Sequence, residues 1–252
     1  MVKVYTGENN DAIAKSLAKF IIAQQDAVLA TNEKFTIAIS GGSLISILAT
    51  GLFKNDDVKW NKWVVYFSDE RIVPLDHEDS NFGQFQKHVL NELAHETSKI
   101  GPTVVTINEN LIHPNDHSTD ADIAKEYAEE LPENGIDLVL LGCGPDGHTC
   151  SLFPGHPLLS EEVLNVAALH DSPKPPPRRI TLTLKYLAKC HTLAFVATGA
   201  SKQTVLKDIF NNASSDLPCA KVNALKDKVR GGICWFVDDS AVEGVEVTKL
   251  TY

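Results

Sequence analysis

The feature that most constrains this chain is a repeated alternation of short apolar runs with amphipathic stretches. Runs rich in β-branched and aromatic residues occupy 35–39, 63–67, 104–107, 138–141, 181–184, 192–197 and 234–237. Their length and composition mark them as strands, and their continuous apolar character requires cover on both faces. Helical spacing fills the intervals. Ile13, Leu17, Phe20, Ile21 and Leu29 recur on one side of a first helix, which follows a short strand and is capped by Asn9 or Asn10. The stretches 44–53, 82–93, 121–131 and 202–210 read as further helices. This order predicts an α/β fold, a mostly parallel, Rossmann-like sheet with helices on both faces. The stretches 108–120 and 211–227 read as surface excursions. Neither a repeat nor a linker divides the chain, so residues 1–252 are expected to form a single domain.

A chain of 252 residues, 43% of them hydrophobic, can bury a core large enough to need neither disulfide nor metal. Its five cysteines, at 143, 150, 190, 219 and 234, are odd in number and lack CxxC spacing. They read as small hydrophobes in a reducing compartment. The first eight residues turn polar within a few positions, with no long apolar run. The expected location is therefore the cytosol, with no membrane partner. Thirty-three acidic against 23 basic side chains give a net charge of −10, which repels nucleic acid. A small anion would have to be met by a local cluster of cations or N–H groups.

Five segments at or beside strand ends could supply that cluster, because open α/β sheets bind ligands at the carboxyl ends of their strands. Ser40-Gly41-Gly42-Ser43 follows one strand and opens a helix, either as an anion-binding turn or as a tight turn capped by Ser43. Ser68-Asp69-Glu70-Arg71 follows the next and, taken alone, reads better as a solvated turn. In the third, three glycines, Pro145 and Asp146 impose a specific backbone shape around His148. The fourth, residues 172–179, is a stiff proline-rich run that delivers Arg178 and Arg179 to a strand. In the fifth, Lys202 stands at a helix opening, where a cation opposes the helix dipole and an anion would relieve it.

Read in order, these segments resemble the 6-phosphogluconolactonase family of the eukaryotic type, within the larger group that includes the glucosamine-6-phosphate deaminases. The similarity is carried by Phe67-Ser68-Asp69-Glu70-Arg71-Ile72-Val73-Pro74, by Asp79-Ser80-Asn81, by the run from Leu140 to Pro154 containing Asp146-Gly147-His148, and by Asp171-Ser172-Pro173-Lys174-Pro175-Pro176. The resemblance implies hydrolysis of 6-phospho-D-glucono-1,5-lactone, a sugar phosphate, without metal or organic cofactor, by a monomer. It implies His148 as general base and Arg71 as its companion in catalysis. Arg179 and Lys202 match phosphate-contacting positions, Gly41, Gly42 and Ser43 match a phosphate turn, and Asp69 falls within the substrate-binding stretch.

Those residue types also suit the chemistry directly. Histidine has the side-chain pKa nearest to neutral, as deprotonating a water at physiological pH requires. Asp146, two residues earlier, either orients the imidazole or only shapes its own turn. The developing oxyanion could be met by Arg71 or by backbone N–H groups of residues 144–148. The deaminases of the wider group carry an acidic residue just after their histidine and usually an aromatic at the position of Arg71. Residues 149–154 contain no acid, which favours hydrolysis over isomerising deamination.

Overall fold

The computed structural model describes residues 2–53, 55–95 and 100–252. Eight strands form one wholly parallel sheet: β1 (Lys3–Gly7), β2 (Phe35–Ile39), β3 (Trp63–Phe67), β5 (Thr103–Val104), β6 (Leu138–Gly142), β9 (Thr192–Ala197), β10 (Gly232–Asp238) and β11 (Lys249–Leu250). Their spatial order is β11-β1-β10-β9-β6-β2-β3-β5. Alternation along the strands sends Ile37, Ile39, Val65, Phe67, Leu138 and Leu140 into one core, and Ala38, Tyr66, Val139 and Leu141 into another. The first core lies under α1 (Asn10–Leu29) and α2 (Ser43–Leu52), and under a helical run in which α3 (Asn81–Phe85) and α4 (Asn91–His95) are joined by a π-helical turn. The second lies under α5 (Asp120–Glu129), α6 (Leu184–Leu187), α7 (Gln203–Asn211) and α8 (Pro218–Asn223). The two-sided cover expected from the apolar runs is therefore present. Asn9, rather than Asn10, caps α1, its side chain accepting from Ala12 N at 3.0 Å.

Three departures from the sequence reading matter for function. The run expected at 181–184 is β8 (Arg179–Leu182), and it lies outside the main sheet, between β4 (Asp69–Arg71) and β7 (Val166–Leu169) in a small antiparallel sheet. Both faces of β8 are buried, so its apolar pattern could not distinguish this sheet from the parallel one. The run at 104–107 pairs regularly only over Thr103–Val104, although Val105 N still donates to Val65 O at 2.9 Å. The stretch 211–227 is not a surface excursion, because it carries α8, where Cys219 and Val222 are fully buried. Pro218 at the start and an apolar pair three residues apart are signals for that short helix. All five cysteines are free and buried, and no described helix is long and apolar enough to cross a membrane.

The central strand β6 is flanked by β2 on one side and β9 on the other. Their carboxyl ends, with that of β3, open side by side at the place where this topology puts ligands.

Candidate active site

The segments leaving β2, β3, β6 and β9 wall a single cleft of about 280 Å³. Gly41, Gly42, Ser43, Asp69, Arg71, His148, Arg179 and Lys202 all line it. Asp146 touches it through His148.

On the β2 side the two glycines have different reasons to be glycine. A Cβ on Gly41 would lie 1.9 Å from Asn81 Oδ1, a collision with a buried side chain that is itself held by Asp69 O. Gly42 has φ 73° and ψ −148° as the N-cap of α2, and a Cβ there would meet nothing within 4 Å. No side chain caps α2, so Ser43 does not play the capping role considered above. The first N–H groups of a ten-residue helix are thus left open to the cleft, the arrangement that attracts anions. Opposite, Lys202 ends a short 3-10 turn (Ala200–Lys202) and leads into α7, likewise without a side-chain cap.

The β3 side overturns the solvated-turn reading, for Asp69 and Glu70 are buried in β4. Strand alternation turns Glu70 away from the cleft, where its carboxylate accepts the backbone N–H groups of Arg71, Asn81 and Phe82 at 2.8, 2.7 and 2.9 Å. Burial pushes this carboxyl up to about 7, against the pull of those three donors. Its neighbours Asp69 and Arg71 face the cleft. Asp69 accepts from Ser151 Oγ at 2.7 Å and lies 3.9 Å from Arg179 Nη1. Arg71 donates from Nη1 to Asp79 O at 2.7 Å, while its buried Nε has no partner among the described residues.

The turn after β6 is closed by its own backbone. Gly144 N donates to His148 O and Gly147 N to Gly144 O, both at 2.9 Å, with Gly147 at φ 80°. A Cβ on Gly144 would fall 1.9 Å from His148 Nδ1 and 2.5 Å from Asp146 Oδ1, so this glycine makes room for the pair. Helix α8 supports the turn from behind, Cys219 N donating to Gly147 O at 3.1 Å. The Phe153 ring packs 5.0 Å from the imidazole.

Within the turn, Asp146 Oδ1 lies 2.5 Å from His148 Nδ1. A carboxylate that close requires a proton on Nδ1, which leaves Nε2 as the basic nitrogen of a neutral ring. Burial and the nearby Lys174 hold the imidazole below its ordinary pKa, although Asp146 and Asp69 pull the other way. Burial works to raise the Asp146 carboxyl, but hydrogen bonds and charge from His148 and Lys174 outweigh it and bring it down to about 2. The first of the two readings of Asp146, orientation of the imidazole, matches this geometry.

The basic pair separates. Arg178 stands just before β8 and points out of the cleft to Asp120 (2.5 and 3.1 Å) and to the carbonyls of His113 and Asp116. It ties down the loop at 108–120. Arg179 faces the cleft and holds the proline-rich loop, donating to the carbonyls of Lys174, Pro175 and Pro176 at 2.9 to 3.1 Å and to Ser151 Oγ at 3.3 Å. Lys174, from the same loop, comes to rest on Asp146 and His148.

The sequence reading gave Ser151, Asn81 and Glu70 no role, although each lies in a stretch quoted above, and did not place Lys174 beside the imidazole. Ser151 and Asn81 make their contacts across more than ten residues of chain, which local spacing does not encode.

The family model for glucosamine-6-phosphate isomerases and 6-phosphogluconolactonases matches residues 8–230. The chain belongs to this family. A relative named 6-phosphogluconolactonase 3 from Saccharomyces cerevisiae is 44% identical, covering 98% of each chain. A 6-phosphogluconolactonase from Rattus norvegicus is 40% identical over 93% of this chain and 90% of its own length. The solved structure of a family member, a 6-phosphogluconolactonase from Leishmania guyanensis, superposes with a TM-score of 0.80 at 25% identity, covering 98% of this chain and 100% of that one. Named relatives of this similarity place the chain on the lactonase side of the family.

Proposed function

We propose that this chain hydrolyses 6-phospho-D-glucono-1,5-lactone to 6-phosphogluconate, the second step of the oxidative pentose phosphate pathway, with His148 as the general base. The observation that carries this reading is the committed Nδ1 of His148. An imidazole that gives Nδ1 to a carboxylate and presents Nε2 to a cleft with two arginines on its walls suits water activation beside a developing anion. The names of the curated relatives support this choice of substrate.

The substrate phosphate rests against the open N-terminus of α2 at Gly42 and Ser43, with Lys202 opposite. Asp69 serves as an acceptor for a sugar hydroxyl rather than as a phosphate ligand, since its carboxylate would repel the phosphate. Water attacks the lactone carbonyl carbon and loses a proton to His148 Nε2. Of the two candidates for the oxyanion, the turn offers only the N–H of Asp146, since Pro145 has none and those at 144, 147 and 148 are already engaged within the turn. Arg71, a full cation whose side chain lines the cleft, takes that role. The tetrahedral intermediate then collapses, and the protonated His148 returns the proton to the ring oxygen as it leaves. Both proton transfers use one nitrogen, and no carboxylic acid is needed from residues 149–154.

The test is the disappearance of freshly generated 6-phosphogluconolactone, measured against its spontaneous hydrolysis. A rate no faster than the blank would sink the reading.

Two further results are expected. The acid limb of kcat/KM should lie below pH 6.5, because the base must be neutral and the cleft holds His148 below its ordinary pKa. Activity is then retained at pH 6.5 and lost only as pH falls further, whereas a limb above 6.5 would contradict the assignment. Lys202→Ala should raise KM for the phosphorylated lactone roughly tenfold or more, the usual worth of a charge-assisted phosphate contact, while kcat changes by less than about twofold. The same variant should leave KM for unphosphorylated gluconolactone unchanged, and a parallel rise on both lactones would remove Lys202 from the phosphate site.

A further inference from the structure

The proline-rich loop brings a second charge to the imidazole that general-base chemistry does not by itself require. Lys174 Nζ lies 3.0 Å from His148 Nδ1, and 3.2 and 3.1 Å from the two oxygens of Asp146. The ammonium has only protons to offer, and Nδ1 already spends its own on Asp146. Lys174 is therefore bonded to the carboxylate and merely adjacent to the ring, as the third member of a charge triangle.

That position resolves a conflict in the site. A carboxylate paired with Nδ1 fixes the tautomer a base needs, but its negative charge also favours the protonated ring, which is no base at all. A cation beside the same carboxylate offsets that charge while leaving the hydrogen bond in place. The other groups near the ring do not supply this. Asp69, from β4, is negative and favours the imidazolium. Cys219, from α8, bonds the His148 carbonyl through a thiol that burial keeps protonated. Arg71, Arg179 and Lys202 line the cleft, but among the described residues only Asp146 and Lys174 bond or touch the imidazole nitrogen.

The backbone of Lys174 is held as well as its side chain. Its carbonyl accepts from Arg179 Nη2 at 2.9 Å and Ser172 Oγ at 2.8 Å, and its N–H donates to Ser172 Oγ at 3.2 Å. Prolines at 173, 175, 176 and 177 surround it, so little backbone freedom remains to be lost when the ammonium docks. A solvent-facing lysine seldom has its backbone fixed on both sides, and a chance surface ion pair would be weak.

We propose that Lys174 is a positioning residue that lets Asp146 fix the tautomer of His148 while keeping the ring uncharged. The inference rests on His148 being the general base, and it is tested by a measurement that does not depend on turnover. Long-range 1H–15N spectra of the intact protein, titrated from pH 8 downward, report both the protonation midpoint of His148 and which ring nitrogen carries the proton. In Lys174→Met the midpoint should rise by about one pH unit, the effect expected of one charge at this distance under solvent-like screening, with Nδ1 still the protonated nitrogen of the neutral ring. Lys174→Arg should restore the midpoint, since a guanidinium can bridge both carboxylate oxygens. In lactone assays the acid limb of kcat/KM should move with the midpoint while KM on the plateau stays put. A role confined to holding the loop would instead raise KM through Arg179 and leave the midpoint where it was.

An unchanged or lowered midpoint in the Met variant overturns the inference, as does a switch of the neutral ring to the Nε2–H form. If Lys174→Met does not fold, Lys174→Gln provides the same comparison with a polar side chain. Failure of the wild-type protein to hydrolyse the lactone would strike the functional reading alone, because the midpoint shift is measured without substrate.

Discussion

Replacing His148 by alanine should lower kcat for 6-phosphogluconolactone by roughly two to four orders of magnitude, the range that a general base contributes, with KM within about threefold of wild type. The separation of the two constants follows from the neutrality of the ring. An uncharged imidazole adds little to the binding of a phosphorylated substrate, whereas Gly42, Ser43 and Lys202 do not depend on it. The deletion should also be structurally mild. Asp146 keeps Lys174 as a partner at 3.1 Å when the ring is removed, so no charge is left unpaired. The turn is closed by backbone bonds from Gly144 and Gly147, which do not involve the imidazole. Remaining activity would come from Arg71 and from holding the substrate in place, and it should no longer show the acid limb. Single-turnover measurements across pH would read both effects. An alanine variant within tenfold of wild type would remove His148 from the chemistry.

The large sheet was legible because its strands are buried on both faces and separated by strongly periodic helices. Residues 35–39, 63–67 and 192–197 have the bounds expected from composition alone. The small antiparallel sheet was not legible. β4 is only three residues long, two of them acidic, and charged residues at a strand end ordinarily mean solvent. What buries them is Ser151 on one side and the start of α3 on the other, partners that local sequence does not announce. The same reasoning applies to the site. Glycine spacing pointed to the turn at 144–148 and to Gly41 and Gly42, because glycine is demanded by backbone geometry and close approach, both local properties. The division of labour between Arg178 and Arg179, and the arrival of Lys174 at the imidazole, depend on the register of β8 against β4 and on the path of the loop. These are tertiary facts.

Asp146→Asn should cost kcat about as much as losing the base itself, on the order of a hundredfold to ten-thousandfold, although the substituted atoms are nearly the same size. The carboxamide changes the tautomer. Its nitrogen can donate to an unprotonated Nδ1, which moves the ring proton to Nε2 and leaves no lone pair directed at the water. The equivalent change in a Ser-His-Asp triad costs about 10⁴ in kcat for this reason. Here a second effect acts in the same direction. Without the carboxylate, Lys174 loses its anionic partner and can donate to Nδ1 itself, further stabilising the wrong tautomer. The loss of negative charge should also move the protonation midpoint of His148 down, since Asp146 is the main influence holding it up. The variant should therefore be slow at every pH, with an acid limb displaced to lower values, a pattern distinct from the upward shift expected of Lys174→Met. If the asparagine variant instead keeps wild-type kcat with an unshifted limb, Asp146 only shapes its turn, and the orientation of the base must come from Gly144, Phe153 and the packing of α8.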